Sequence, residues 1–143
     1  MPVVCELPGA RFEYPENWEL EDASQQQTAQ VTVLAPGTGM WQITQHPANA
    51  EAEPLFDEAI AALRKEYREI EVLPATDALE GRELTGFDVN FFYLDLVVSI
   101  WLRAVPTPQG LYMVMCQAED RELQQVGPVF RAMIASLLRS LPK

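Results

Sequence analysis

The chain is poor in the side chains that most often carry chemistry: it has one histidine, His46, and two cysteines, Cys5 and Cys116. A nucleophilic triad would have to use His46, which precedes Pro47 at the end of an expected strand and reads as a surface residue. Two cysteines separated by most of the chain, with a single histidine, give no zinc-ligand spacing. Cys116 falls in an expected buried strand, where a thiol is inert, so two reduced thiols are the simpler reading. No glycine-rich phosphate loop occurs. No catalytic residue, metal or cofactor is therefore expected.

Basic residues are also scarce. Ten Lys and Arg stand against 21 Asp and Glu, a formal charge of −11. That balance opposes direct binding to nucleic acid or to an anionic membrane, and would suit a basic partner. The longest strongly apolar run, Leu96 to Leu102, is too short to span a bilayer. Met1 to Pro8 lacks a basic start and an apolar run, so no secretory signal is expected and the reading is cytoplasmic. At 143 residues, with 48% hydrophobic content, the chain is expected to be a single domain with a genuine core.

What the chain has in quantity is alternation, concentrated between Leu84 and Ala118. Phe87, Val89, Phe91 and Tyr93 occupy odd positions; Leu96, Val98, Ile100 and Leu102 occupy even ones. Side chains two apart share a strand face, so each set lines one face. A two-residue turn at Leu94-Asp95 pairs Tyr93 with Leu96, Phe91 with Val98 and Val89 with Ile100, and brings both sets to one side. A slip of one residue would separate them. Leu-Asp is nevertheless an unfavoured pair for such a turn. Pro106, Pro108 and Gly110 lead into a third strand, about 111–118, apolar on both faces and hence central. Phe91, Val98 and Ile100 are expected to be almost fully buried.

Elsewhere, 11–22 should hold two short strands broken at Pro15, with Trp18 and Leu20 in the second. Residues 23–29 read as a loop, 30–34 and 40–46 as strands around a turn at 35–39. A helix from about Pro54 to Glu69 carries Leu55, Phe56, Ala59, Ile60, Leu63 and Tyr67 at helical spacing, with Pro54 as its first residue. Short strands are expected at 70–73 and 77–80. Residues 119–126 read as a loop or a helical turn. Gly127-Pro128 reads as the start of a final helix whose apolar face is Phe130, Met133, Ile134, Leu137, Leu138 and Leu141. The order predicts an α+β fold: an antiparallel sheet of six or seven strands packed with two main helices.

The opposite face of the central hairpin supplies the candidate site. It carries Asp88, Asn90 and Phe92 from one strand and Val97, Ser99, Trp101 and Arg103 from the next. Asp88 faces Arg103 or Trp101, and a structural ion pair is the plainer reading than ligand binding. Trp101 and Phe92 either pack beneath a helix or loop, as large aromatics usually do, or floor a groove for an apolar peptide. In the groove reading, Asn90 and Arg103 would hold peptide carbonyls.

The layout resembles the PsbP-like superfamily, which includes the PsbP proteins, the Ran-binding import factor fold, the DcrB lipoproteins and the Eag-type effector chaperones. The features that carry it are Phe12-x-Tyr14-Pro15-x-x-Trp18, the helix from Phe56 to Tyr67, Gly81 ahead of the long hairpin and the final helix after Pro128. The resemblance implies the same fold and a bias towards binding proteins. It transfers no functional residue, and no export signal like those of the PsbP and DcrB proteins is expected. The expected function is a non-catalytic protein-binding or adaptor domain, chaperone-like for an apolar peptide segment. The alternative is a small-molecule binding domain or an enzyme using the face of Asp88, Asn90, Ser99 and Arg103.

Overall fold

A computed structural model describes residues 1–26 and 28–142; of the loop expected over 23–29, Gln27 lies outside the described residues. Among the described residues there are nine strands and two helices. Seven strands form one antiparallel sheet in the order β3-β4-β5-β9-β8-β7-β6. They are β3 (Glu19–Asp22), β4 (Gln30–Leu34), β5 (Met40–His46), β6 (Ile70–Leu79), β7 (Arg82–Tyr93), β8 (Leu96–Thr107) and β9 (Gly110–Glu119). A separate ribbon pairs β1 (Pro2–Leu7) with β2 (Ala10–Pro15). The fold is α+β, as the alternation and the helical periods predict.

The central hairpin has the predicted register. Tyr93 pairs with Leu96, Phe91 with Val98 and Val89 with Ile100. Phe91, Val98 and Ile100 are buried. The two-residue turn forms despite its chemistry, with Leu94 at a positive φ of 57°. Strand β9 is the middle strand of the seven and is apolar on both faces, as expected of a strand covered twice.

The two helices cover opposite faces of the sheet. Helix α1 (Ala52–Glu66) packs Phe56 and Ile60 on Val89, Phe91, Ile100 and Leu102. Tyr67, just past its end, stacks on Phe91 at 3.9 Å. Beyond α1, the same face of β4 and β5 is polar, and Gln42 donates to Thr32 there at 3.1 Å. The other face packs under α2 (Asp120–Arg139) and the ribbon, around Trp41, Tyr112, Phe12 and Phe130. Ser136 of α2 and Ser140, which caps its end, finish the edge of the ribbon. The Glu13 N–H donates to Ser136 Oγ at 2.9 Å, and the Arg11 N–H to Ser140 Oγ at 3.0 Å. Those two donors would otherwise lie on an open strand edge.

Several boundaries differ from expectation, each for a physical reason. Strand β1 has no counterpart among the expected elements, and Trp18 precedes β3 instead of lying in it. The helix expected from Pro54 begins two residues earlier, with Pro54 still in the first turn, where its missing N–H is not needed. It ends at Glu66, and Tyr67 adopts an extended cap conformation. The two short strands expected over 70–80 are one strand running through Pro74. That is tolerated because β6 is an edge strand with only one neighbour.

The largest correction concerns α2, which starts at Asp120 and passes straight through Gly127 and Pro128. An internal proline removes a helical hydrogen bond and costs about 3 kcal/mol. Three tertiary contacts offset that cost. Leu123 and Val126, upstream of the proline, pack on the core. Gly127 lies against the Trp101 indole, where an added Cβ would stand 3.3 Å from Cη2. The third contact caps the helix from a distance. Thr38, in the β4–β5 turn, accepts the Glu119 N–H on its hydroxyl at 3.0 Å. Its own hydroxyl and N–H both donate to Glu122, each at 2.8 Å. These bonds hold the Glu122 carboxyl below its ordinary pKa, the Thr38 N–H first. Leu141, expected on the helix face, is buried but lies just past the helix end.

Candidate functional site

The six candidate residues share one sheet face, but they fall into three settings. Asp88 and Arg103 belong to an internal ion cluster. Arg103 is 3% exposed; its Nε donates to Asp77 at 2.7 Å and its Nη2 to Asp88 at 2.8 Å. Nη1 donates to the carbonyls of Phe87 and Leu102. Burial pulls the guanidinium pKa down, but the hydrogen bonds and charges of Asp77 and Asp88 outweigh it and leave the pKa raised. The donors of Arg103 are thus committed inside the fold, which is the ion-pair reading of Asp88. Asp77, from β6, is a second partner that the sequence does not signal, because sequence distance conceals a neighbour across two strands.

Trp101 lies beneath α2. Its ring meets Phe130 edge-on at 6.0 Å, and the Arg131 guanidinium sits 5.3 Å from its centroid. The side chain is half-buried, and a shallow depression beside it is lined by Leu123, Gln124, Pro128 and Arg131. Phe92 and Asn90 are not around this ring.

The third setting is the open end of the hairpin. Helix α2 starts at Asp120 and does not reach over the adjoining ends of β6 and β7. An open depression of about 540 Å³ remains there, lined by Glu69, Glu71, Asn90, Phe92, Val97 and Asp120 among others. Phe92 is 68% exposed, Tyr93 53% and Leu94 83%. The buried Ser99 hydroxyl donates to Asn90 Oδ1 at 2.7 Å, which turns the Asn90 amide to donate to Glu71 at 3.0 Å. Ser99 and Asn90 therefore orient the Glu71 carboxylate on the β6 side of the depression. Sequence reasoning misses Glu69, Glu71 and Asp120 as lining residues, although the unfavoured Leu-Asp turn is a visible signal at this end.

The remaining reactive groups are quiet. Burial drives the Cys116 thiol far above its ordinary range. The Cys5 thiol is pushed up to about 11 by burial, then by Asp22 and Glu6. Neither is a thiolate at neutral pH, and both cysteines are free. His46 ends β5, opposite Leu111. Among the described residues no group of three His, Cys, Asp or Glu side chains is placed to hold a metal ion. No described helix is long and apolar enough to cross a membrane.

No family model matches the chain, and no curated protein matches it. Solved structures do. One is PA94 of Pseudomonas aeruginosa, a protein of unknown function named as a candidate regulator. It is 12% identical with a TM-score of 0.56, over 99% of this chain and 97% of that one. Another is LpqN of Mycobacterium tuberculosis, involved in cell envelope biogenesis. It is 12% identical with a TM-score of 0.49, over 93% of this chain and 86% of that one. The likeness to PA94 shows a shared fold along the whole chain; identity at this level says nothing about function.

Proposed function

We propose that the chain is a non-catalytic protein-binding domain that receives an apolar segment of a partner at the open end of the β7–β8 hairpin. The observation that carries this reading is the tip itself. Phe92, Tyr93 and Leu94 are consecutive, large, apolar and more than half exposed. Leu94 also adopts a left-handed backbone conformation that costs a non-glycine residue about 1 kcal/mol. A leucine there contributes almost no packing, and asparagine or glycine would make a better turn. Such breaks of a local rule, without structural return, cluster where function demands them. A chaperone-like role for an apolar peptide is one form of this activity. Kinship with the PsbP-like proteins is part of the same proposal, supported by the order of strands and helices. A cytoplasmic setting is proposed as well, and two free cysteines suit it.

The test compares partner capture from a host lysate by the wild type, Phe92→Ser and Leu94→Ser. Both side chains are exposed, so both variants should melt close to the wild type. Proteins held by the wild type should be lost from both variants. Undiminished capture by folded variants would remove this end of the molecule as the binding site.

A further inference from the structure

Given that the open end of the hairpin is a docking site, the reading on which this inference rests, the walls and rim of its depression specify the partner's chemistry. The walls are apolar: the Phe92 ring and Val97, which oppose each other across the β7–β8 pair. The rim is acidic: Glu69 and Glu71 on the β6 side and Asp120 at the start of α2. Among the described residues none of these three carboxylates takes part in an ion pair. Glu71 accepts only the Asn90 amide, itself fixed by Ser99. Among the described residues no cationic side chain lines the depression, and the whole chain carries −11.

We infer that this site binds a protein segment in which an arginine neighbours large apolar side chains. The apolar residues cover Phe92 and reach Leu94 at the turn. The arginine stem lies along Val97 and the Phe92 face, and its guanidinium reaches Glu71 and Asp120. Arginine suits the site better than lysine. Its planar head stacks on an aromatic face and bridges two carboxylates, whereas an ammonium is a strongly hydrated point charge. The segment docks by its side chains and does not add a strand, because Pro74 interrupts the free edge of β6 and offers no N–H there.

The experiment measures fluorescence anisotropy of labelled synthetic peptides that alternate leucine with arginine, with citrulline or with lysine. Citrulline keeps the shape of arginine and removes its charge. The arginine peptide should bind, the citrulline peptide about tenfold more weakly, and the lysine peptide in between. Binding of the arginine peptide should weaken as salt rises. In the variant Glu69→Gln/Glu71→Gln/Asp120→Asn the arginine and citrulline peptides should become equal. Phe92→Ser should weaken all three. Equal binding of arginine and citrulline peptides to the wild type, still lost in Phe92→Ser, overturns the cationic inference and leaves the docking site standing. Binding indifferent to Phe92→Ser overturns the site itself. An arginine peptide that does not bind at millimolar concentration overturns the inference, and lysate capture through Phe92 then decides the site separately.

Discussion

Arg103 and Asp88 meet across the β7–β8 pair, Nη2 to Oδ1 at 2.8 Å, and the arginine is held inside the fold with Asp77 as its second counter-charge. Either carboxylate alone still neutralises the guanidinium. Asp77→Asn and Asp88→Asn should each therefore cost less than the pair. The double variant strands a buried cation and should lose about 3–5 kcal/mol. Urea melts of the four proteins give the coupling directly. A double variant within about 1 kcal/mol of the wild type would mean that Arg103 reaches water in solution.

Gly86 sits opposite Arg103, and there the backbones of β7 and β8 come very close. A Cβ at Gly86 would fall 1.7 Å from the Leu102 carbonyl oxygen. Backbone cannot yield as a flexible side chain does. Gly86→Ala should lose more than about 3 kcal/mol or fail to fold. A denaturation midpoint close to wild type would show that the strands do not approach so closely.

Leu94→Gly separates stability from binding. Glycine relieves the left-handed strain, and the lost side chain is 83% exposed. Stability should rise by about 0.5–1 kcal/mol, while partner capture falls. Thermal melts beside the capture assay check both; a variant that loses stability would show that Leu94 packs on something in solution.

Alkaline pH should destabilise the protein. Burial pushes the Tyr112 phenol from 10.0 up to about 12, where it donates to the Pro8 carbonyl. The Cys5 thiol is pushed from 9.0 up to about 11. Both groups are neutral when protonated, so a raised pKa means that folding favours the bound proton. Their contribution is whole below the unfolded pKa values and is lost as pH rises through the folded ones. Urea stability should begin to fall near pH 9 and steepen above pH 10. Tyr112→Phe should flatten the steeper part while losing about 1 kcal/mol at neutral pH with its hydrogen bond. A Tyr112→Phe profile parallel to wild type above pH 10 would place the sensitivity in other groups.

Much of this architecture is legible in the order of residues. The alternation of Val89, Phe91, Val98 and Ile100 admits one register, because a one-residue slip would turn every apolar side chain outward. The bounds of β4 and β5 follow from turn residues at 35–39 and a clean two-residue period. The site is less legible. Its six candidate residues do share a face, as the period requires. Burial is a property of what lies above a face, however, and a period carries no information about that. Arg103 stays open between ion pair and ligand contact because Asp77 is remote in sequence; Phe92 reads like Trp101 because both are aromatic on the same side.

The sequence by itself thus determined the strand register, the face of each side chain and the helical stripes, since these depend on periods of two and 3.6 residues within a few neighbours. Tertiary structure alone decided where α2 begins and how far it reaches. Local chemistry at Gly127-Pro128 favours a helix start, yet Thr38 caps the chain seven residues earlier, at Asp120. The reach of that helix covers part of Trp101 and leaves Phe92 open, because a non-local cap and core contacts together outweigh one internal proline.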